Sequence, residues 1–162
     1  MPLLAVTPDV LSVEKLSAAV SAEVRGEGCG AVTSFAGLVR AHHQGRAVTY
    51  LEYEAYEPLA VKTFEQIQGE ASQLWPGVTL GIHHRTGRLE IGDASIVIAA
   101  ASAHRAQSFE VCRYAIERVK QIAPIWKHEY FVGGAAWVEG AVADPDDPAA
   151  REIARSRAGG GA

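Results

Sequence analysis

The chain has 162 residues, of which 48% are hydrophobic and 21% are charged, and its formal net charge is -4. This length and composition are those of one ordinary globular domain with a buried core. The negative net charge argues against a general binder of nucleic acid or of anionic membranes, so any basic site must be a local cluster of side chains.

The periodicity of the apolar residues predicts the elements of the first half of the chain. In chain order these are an edge strand over 4–10, a helix capped by Ser12, a strand over 29–37, a polar loop over 41–46, a strand over 47–56 and a helix over 57–74. The two strands that flank the polar loop are expected to pair with each other.

The second half is predicted to contain one long helix among strands. The strands are expected over 78–87, 94–103, 125–131 and 135–139. The helix begins just after His104 and runs to about Ile122, because Pro124 disfavours helical geometry at the residue before it. Its buried face is predicted from apolar residues spaced three, four and three, namely Phe109, Cys112, Ile116 and Val119.

Strands outnumber helices, and short turns join many of them. This order predicts an α+β fold with helices packed on a mainly antiparallel sheet. Residues 1–141 are expected to form a single domain. The remainder, 142–162, begins with Asp and Pro and ends in glycines. It is expected to be a flexible extension with room for a short helix over 149–157.

Cys29 and Cys112 both lie in apolar patterns. We therefore expect buried free thiols rather than a disulfide. The first residues lack the basic start and apolar run of a signal peptide, and no apolar stretch reaches the roughly 20 residues that cross a bilayer. The expected compartment is the cytoplasm.

Lys120 and Lys127 are the residues around which a site is predicted. If the chain turns back as an antiparallel strand after the long helix, the two lysines come close together. A catalytic lysine must lose its proton near neutral pH, which burial or neighbouring positive charge promotes. The alternatives are a solvated salt-bridge stripe of Lys120 with Arg113 and Glu117, and an exposed pair of Lys127 with Glu129.

His104 and Arg105 stand where a buried strand meets the long helix. Backbone N–H groups at a helix N-terminus attract anions, and an arginine adds a bidentate donor, so an anion site is one interpretation. The other is an ordinary cap with a surface charge. Arg40 follows Gly37 at a strand end and is a further candidate neighbour of the lysines.

Several common sites are not indicated by the sequence. Of the six histidines, His42 and His43 are adjacent, as are His83 and His84. Neighbours on a strand point to opposite faces, and no Cys/His spacing matches a zinc site. Neither a phosphate-binding loop nor a nucleophile-turn motif is present. No metal and no cofactor are expected.

Taken together, five segments resemble the large, catalytic subunit of molybdopterin synthase. They occur in that family's order and spacing and cover roughly residues 30–140. Lys120 and Lys127, seven residues apart with Ala-Pro-x-Trp between them, form the most specific feature. The segments are SFAGLVR (34–40), LEYEAYEPLA (51–60), HRTGRLEIGD (84–93), SAHR (102–105) and VKQIAPIWKHE (119–129).

The resemblance implies an enzyme that converts a cyclic pyranopterin monophosphate into the dithiolene-bearing molybdopterin. The sulfur would come from a thiocarboxylate at the Gly-Gly C-terminus of a small ubiquitin-like subunit. The implied fold is of the α/β hammerhead type with a small β subdomain, and the implied assembly is a central dimer with one small subunit at each end.

The resemblance also implies which residues form the site. Lys120 and Lys127 are the implied catalytic residues. The implied substrate-binding residues are Gly37, Val39, Arg40, His104, Arg105, His128 and Glu129.

The end of the chain departs from the family pattern. Some members carry a further arginine shortly after the final Trp-Val-Glu, where this chain has Gly140 and Ala141. Arg151 or Arg155 is a candidate substitute. The chain ends in Gly-Gly-Gly-Ala rather than on glycine, so the sulfur carrier is expected to be another chain.

Two hypotheses from other classes compete with a sulfur-inserting transferase. A non-catalytic phosphate- or nucleotide-binding module would use the same basic pocket without forming product. An assembly subunit would only dock partners through a strand edge. The clustering of the two lysines with His104 and Arg105 favours the enzyme, because a docking edge does not need it.

Overall fold

The computed structural model describes residues 1–26, 28–138, 140 and 143–159. Within them the chain forms two sheets and four helices. The elements are β1 (Leu4–Thr7), α1 (Val13–Glu23), β2 (Ala31–Leu38), β3 (His42–His43), β4 (Arg46–Ala55), α2 (Glu57–Leu74), β5 (Thr79–Arg85), β6 (Gly87–Glu90), β7 (Ala94–Ser102), α3 (Arg105–Ile122), β8 (Ile125–Phe131), β9 (Gly134–Val138) and α4 (Pro148–Ala158).

The first sheet has the strand order β1-β5-β7-β2, and only its β1–β5 pair is parallel. Helix α1 covers one face, where Leu16 packs with Val97 of β7. Helices α2 and α3 cover the other face, where Phe64 and Tyr114 pack with Ile98. Because both faces are covered, β7 is almost continuously apolar rather than alternating. The predicted α+β architecture is confirmed.

The second sheet forms a small β subdomain with the order β3-β4-β8-β9, and β6 also pairs with β4. The predicted pairing of the strands on either side of the polar loop is wrong. Strand β2 pairs with β7, whereas β4 pairs with β8. Between them Gln44 and Gly45 take positive φ angles of 50° and 75°. They close a hairpin in which β3 contributes only two residues, so the chain passes from one sheet to the other.

Helix α3 has the predicted bounds, but its buried face differs from the predicted one. Phe109 is 62% exposed, whereas Val111, Ala115 and Ile122 are buried. The true stripe is rotated by part of a turn, because α3 packs both on the first sheet and against α2 and α4. The cysteine prediction is correct for Cys112, a buried free thiol, and wrong for Cys29, which is free but exposed.

The predicted C-terminal extension contains helix α4. Asp147 caps it by accepting a hydrogen bond from Ala149 N at 2.9 Å. Its Ala150 and Ala154 are buried, and Gln121 of α3 donates a hydrogen bond to the Ala150 carbonyl at 3.0 Å. This part of the extension therefore packs on the domain, and α4 covers the region where a short helix is predicted. Residues 160–162 lie outside the described part of the chain.

Candidate active site

Two cavities, of about 170 and 200 Å³, lie between the first sheet, the end of α3 and the β subdomain. Both are lined by Tyr53, Lys120 and Lys127. Lys120 lies in the last turn of α3 and Lys127 lies on β8. The helix ends at Ile122, and the backbone of Ala123 is extended, so the chain turns straight into β8. The predicted convergence of the two lysines is confirmed.

The surroundings of Lys120 favour its neutral form. Burial lowers the pKa of Lys120 below its usual value, and the positive charge of Arg40 lowers it further. In the described chain no carboxylate forms an ion pair with Lys120. A lysine in such surroundings can act as a base or a nucleophile.

Lys127 has a counterion that Lys120 lacks. Burial lowers its pKa, the carboxylate of Glu129 raises it, and the charges of Lys120 and Arg40 lower it again, so that the net pKa is lowered. The Lys127 Nζ lies 3.9 Å from Glu129 Oε2. The two lysines of one site are therefore electrostatically unequal.

Glu129 is a buried carboxylate at the edge of the second cavity, with only 1% of its side chain exposed. Its Oε2 lies 2.9 Å from His43 Nδ1, and its Oε1 lies 3.9 Å from Arg46 Nη2. Among the described residues, Oε1 is the one enclosed side-chain oxygen or nitrogen without a hydrogen-bond partner. Three basic side chains thus surround one carboxylate.

The end of β2 supplies the other wall of the second cavity. It is lined by Gly37, Val39 and Arg40, three of the residues that the family resemblance implies for substrate binding. A Cβ atom at Gly37 would lie 2.8 Å from Ile96 Cγ2, so a larger residue would force Ile96 to move. The Val39 N–H donates to the Asp93 carbonyl at 2.9 Å and fixes the start of the loop that carries Arg40.

Three predicted substrate-binding residues do not line either cavity of this chain. His104 caps α3 and Arg105 is its first residue, both exposed. They are 15 or more residues before Lys120, which is roughly 20 Å along the helix axis. His128 points to the opposite face of β8 from Lys127, where its ring stacks on Trp137 with centroids 4.4 Å apart.

Two residues of the site were not predicted from the sequence. Tyr53 lines both cavities, and burial raises its pKa. His84 lines the first cavity, and burial lowers its pKa to about 4. In the alternating pattern of β4, Tyr53 falls on the opposite face from Glu52 and Glu54, and this is the signal that could have identified it.

The site fits acid–base chemistry on an anionic substrate. No group of three or more His, Cys, Asp or Glu side chains in the described ranges could hold a metal ion. None of the described helices is long and apolar enough to cross a membrane.

The candidate substitutes for the late arginine, Arg151 and Arg155, line a separate cavity beside Tyr114. Ala141 itself is outside the described residues.

An α+β domain whose basic cavity holds two lysines of lowered pKa defines an enzyme rather than a docking module. The family model described as MoaE protein matches residues 6–122. The chain belongs to the MoaE family.

Curated relatives agree with this assignment. The molybdopterin synthase catalytic subunit of Bacillus subtilis is 49% identical over 109 residues, 67% of this chain and 69% of that protein. Molybdopterin synthase catalytic subunit 1 of Mycobacterium tuberculosis is 44% identical over 137 residues, 85% of this chain and 90% of the relative.

Solved structures agree as well. The structure of molybdopterin synthase from Staphylococcus aureus superimposes with a TM-score of 0.80 at 38% identity, covering 86% of this chain and 98% of that one. A complex of subunits 1 and 2 of the molybdopterin-converting factor from Helicobacter pylori contains a chain with a TM-score of 0.69 and 27% identity, covering 85% and 91%.

Proposed function

We propose that this chain is the catalytic subunit of molybdopterin synthase and that the cavity around Lys120 and Lys127 is where sulfur is transferred. The substrate is a cyclic pyranopterin monophosphate, and the sulfur donor is the C-terminal thiocarboxylate of a small ubiquitin-like partner. The observation that carries the proposal is the convergence of two lysines of lowered pKa with Arg40 in one cavity.

Arg40 and Lys127 bind the negative charges of the two substrates. A guanidinium forms bidentate hydrogen bonds with phosphate, and a thiocarboxylate is drawn to the same positive field. Glu129 lies beside Lys127 and raises its pKa, an effect that favours the charged form of this lysine. Lys127 therefore stabilises the negative charge that develops in the transition state.

Each round of the reaction transfers one sulfur. The thiocarboxylate sulfur forms a bond to a substrate carbon, and the oxygen leaving group departs with a proton. The product is a thioester between the pterin and the partner's terminal glycine. Water then attacks the thioester carbonyl, the carbon–sulfur bond of the acyl group breaks, and the partner leaves as a carboxylate. Two rounds give the dithiolene.

Lys120 moves the protons in both halves of a round. As an ammonium it protonates the leaving oxygen, and as the resulting amine it takes a proton from the attacking water. Attack of the amine on the thioester is the alternative. That reaction gives an amide, which water cleaves much more slowly than a thioester, so the acid–base role accounts better for repeated turnover.

His104 and Arg105 enter the site from a second copy of the chain in this proposal. Strand β2 is an edge of the first sheet, with β7 on one side only. Its Ala31 end lies beside Ser102 and so beside the start of α3, and its Leu38 end leads to Arg40. Antiparallel pairing of β2 with the same strand of a partner around a two-fold axis brings these opposite ends together.

The apolar surface along β2 supports this central dimer. Val32 is 40% exposed and Leu38 is 56% exposed, and Phe109 of α3 borders the same groove as Phe35 of β2. The small subunit then occupies the outer side of each cavity. The H. pylori relative is likewise a complex of two subunits. Residues 1–141 form the catalytic domain in this proposal, 142–162 are an appendage, and two free cysteines fit the cytoplasm.

A single-turnover assay tests the proposal. The purified chain is mixed with cyclic pyranopterin monophosphate and the thiocarboxylated partner, and both the dithiolene product and the spent partner carboxylate are measured. Lys120→Ala is expected to abolish product, and Lys62→Ala, which changes an exposed lysine of α2, to leave it unchanged. Substrate binding without product in the wild type would support a binding module instead.

A further inference from the structure

His84 is a buried histidine that the proposed reaction leaves without a role. It lies on β5, a central strand of the first sheet, opposite Ile96 of β7. Its ring packs edge-on against Tyr53, with centroids 5.1 Å apart. Both rings line the first cavity together with Lys120 and Lys127. A polar ring in this position is part of the wall that faces the reacting groups.

The hydrogen bonding of the ring determines which nitrogen carries the proton. His84 Nδ1 lies 2.9 Å from the carbonyl oxygen of Arg85. A carbonyl can only accept, so Nδ1 must donate. Burial keeps the ring neutral at physiological pH, since its pKa is about 4. Nε2 is therefore an unprotonated acceptor.

The acceptor nitrogen faces open space. Within the described chain Nδ1 makes the only hydrogen bond of the ring, so Nε2 has no protein partner. Among the described residues Glu129 Oε1 is the one enclosed side-chain oxygen or nitrogen without a partner, so the unpaired His84 Nε2 is not enclosed. The open space that His84 borders is the first cavity, into which Lys120 also projects.

The other groups around Lys120 leave the orientation of its amino group undetermined. The charged and titratable side chains that face it from the surrounding elements are Arg40, His42, His43, Tyr53, Lys127 and Glu129. The nearest influences on its charge are burial and Arg40, both of which disfavour the ammonium. The Lys120 charge is in turn felt at His84. His84 Nε2 offers this amino group a neutral acceptor whose position is fixed by the hydrogen bond at Nδ1.

We propose that His84 is a positioning residue for Lys120: when the lysine side chain rotates within the first cavity, His84 Nε2 accepts a hydrogen bond from its amino group and so directs that group's reactive lone pair towards the substrates. The proposal rests on the proposed function for its effect on catalysis, but not for the hydrogen bond itself. An oriented amine reaches the attacking water or the thioester without a search through lysine rotamers.

Two substitutions separate the acceptor from the rest of the ring. His84→Asn places an amide N–H near the position of Nδ1 and leaves the position of Nε2 empty. His84→Gln reaches farther and offers its carbonyl oxygen near the position of Nε2. For His84→Asn we expect kcat to fall about ten- to a hundredfold with little change in KM, and for His84→Gln we expect most of kcat to remain.

The titration of Lys120 supplies a readout that needs no substrate. An acceptor stabilises the ammonium form, so its loss lowers the lysine pKa. The rate of arylation of Lys120 by 1-fluoro-2,4-dinitrobenzene is followed against pH by peptide mass spectrometry, with Lys62 as the internal reference. The midpoint is expected to move to lower pH in His84→Asn and to stay in place in His84→Gln.

The outcomes decide the role of His84 separately from the function. An unchanged Lys120 midpoint in both variants, with equal losses of stability and kcat, would show a purely structural histidine and overturn the proposal. If the wild type forms no product, the proposed function fails. The arylation midpoints then still decide whether His84 accepts a hydrogen bond from Lys120. If His84→Asn does not fold, the ¹⁵N shifts of labelled wild-type histidine apply: a proton on Nδ1 supports the proposal, and one on Nε2 overturns it.

Discussion

Lys120 and Lys127 line the same two cavities although one ends a helix and the other lies on the strand that follows. Only the extended residue Ala123 and Pro124 separate α3 from β8. This short return places two like charges side by side in a partly buried space, with Glu129 next to only one of them. The sequence spacing of the lysines thus places them in one site with different neighbours.

Arg40 should set the pH range over which Lys120 works as an acid. Its charge lowers the pKa of Lys120 and of Lys127, so Arg40→Ala should raise both. A larger fraction of Lys120 is then the ammonium that begins each round, so the basic limb of the pH–rate profile should move to higher pH. KM for the phosphorylated substrate should rise about tenfold, because a charge-assisted contact is lost. Kinetics across pH measure both effects, and Arg25→Ala, an exposed arginine, is the control.

Glu129 should contribute to both stability and catalysis. Glu129→Gln leaves His43, Arg46 and Lys127 without a carboxylate, so we expect a loss of about 1–3 kcal/mol in the free energy of unfolding. The pKa of Lys127 should fall further, because Glu129 raises it. Denaturant unfolding and the pH–rate profile test this. The matched control is Glu52→Gln on the outer face of β4, where the carboxylate accepts a hydrogen bond from Tyr130 at 3.2 Å. Equal effects of Glu129→Gln and Glu52→Gln would contradict the special role of Glu129.

Local signals in the sequence predicted the bounds of α3 and β8. Pro124, for example, restricts the backbone of the residue before it and so acts within one turn. These local signals did not predict which stripe of α3 is buried. Phe109 and Val111 both start plausible helical stripes, and the choice depends on α2 and α4, which pack against α3 from distant parts of the sequence.

The candidate site was predictable only in part for the same reason. Alternation along β8 predicted that Lys127 and Glu129 share one face of the strand, but it did not predict that this face is buried. His84 lies beside Lys120 because of the register between β5 and its neighbouring strands, which no local pattern contains. Tyr53 meets His84 only because the second sheet packs against the first.

The buried ion pair of Glu70 and Arg118 should be a major determinant of stability. Arg118 is fully buried and donates to both carboxylate oxygens of Glu70 at 2.8 Å and to the Pro145 carbonyl at 3.0 Å. Arg118→Met leaves an unpaired buried carboxylate and should cost about 3–5 kcal/mol. Glu70→Leu combined with Arg118→Met should recover much of the loss. Arg113→Ala, which breaks an exposed helical pair with Glu117, should cost under about 0.5 kcal/mol.

The ion pair of Glu70 and Arg118 also predicts how the stability of the fold depends on pH. Burial would raise the pKa of Glu70, but hydrogen bonds from Arg118 and Tyr114 outweigh it, so the pKa lies below the ordinary 4.5. The contribution of Glu70 is therefore complete above the unfolded-state pKa and is lost as pH falls through the lower folded-state value. The thermal unfolding temperature of the wild type should fall in that acidic range. Arg118→Met should show a shallower dependence, and identical slopes would contradict the assignment.

Mixing two inactive variants should restore activity if each site draws on two chains. Arg105→Ala and Lys120→Ala homodimers each have two defective sites. In a mixed dimer both defects fall in one site, and the other site combines Lys120 of one chain with Arg105 of its partner. Random pairing after co-expression makes about half of the dimers mixed, so about a quarter of the wild-type activity is expected. Co-expression of Lys120→Ala with Lys127→Ala is the informative control. Both changes alter residues that a single chain brings together, so every site carries a defect and no activity should return.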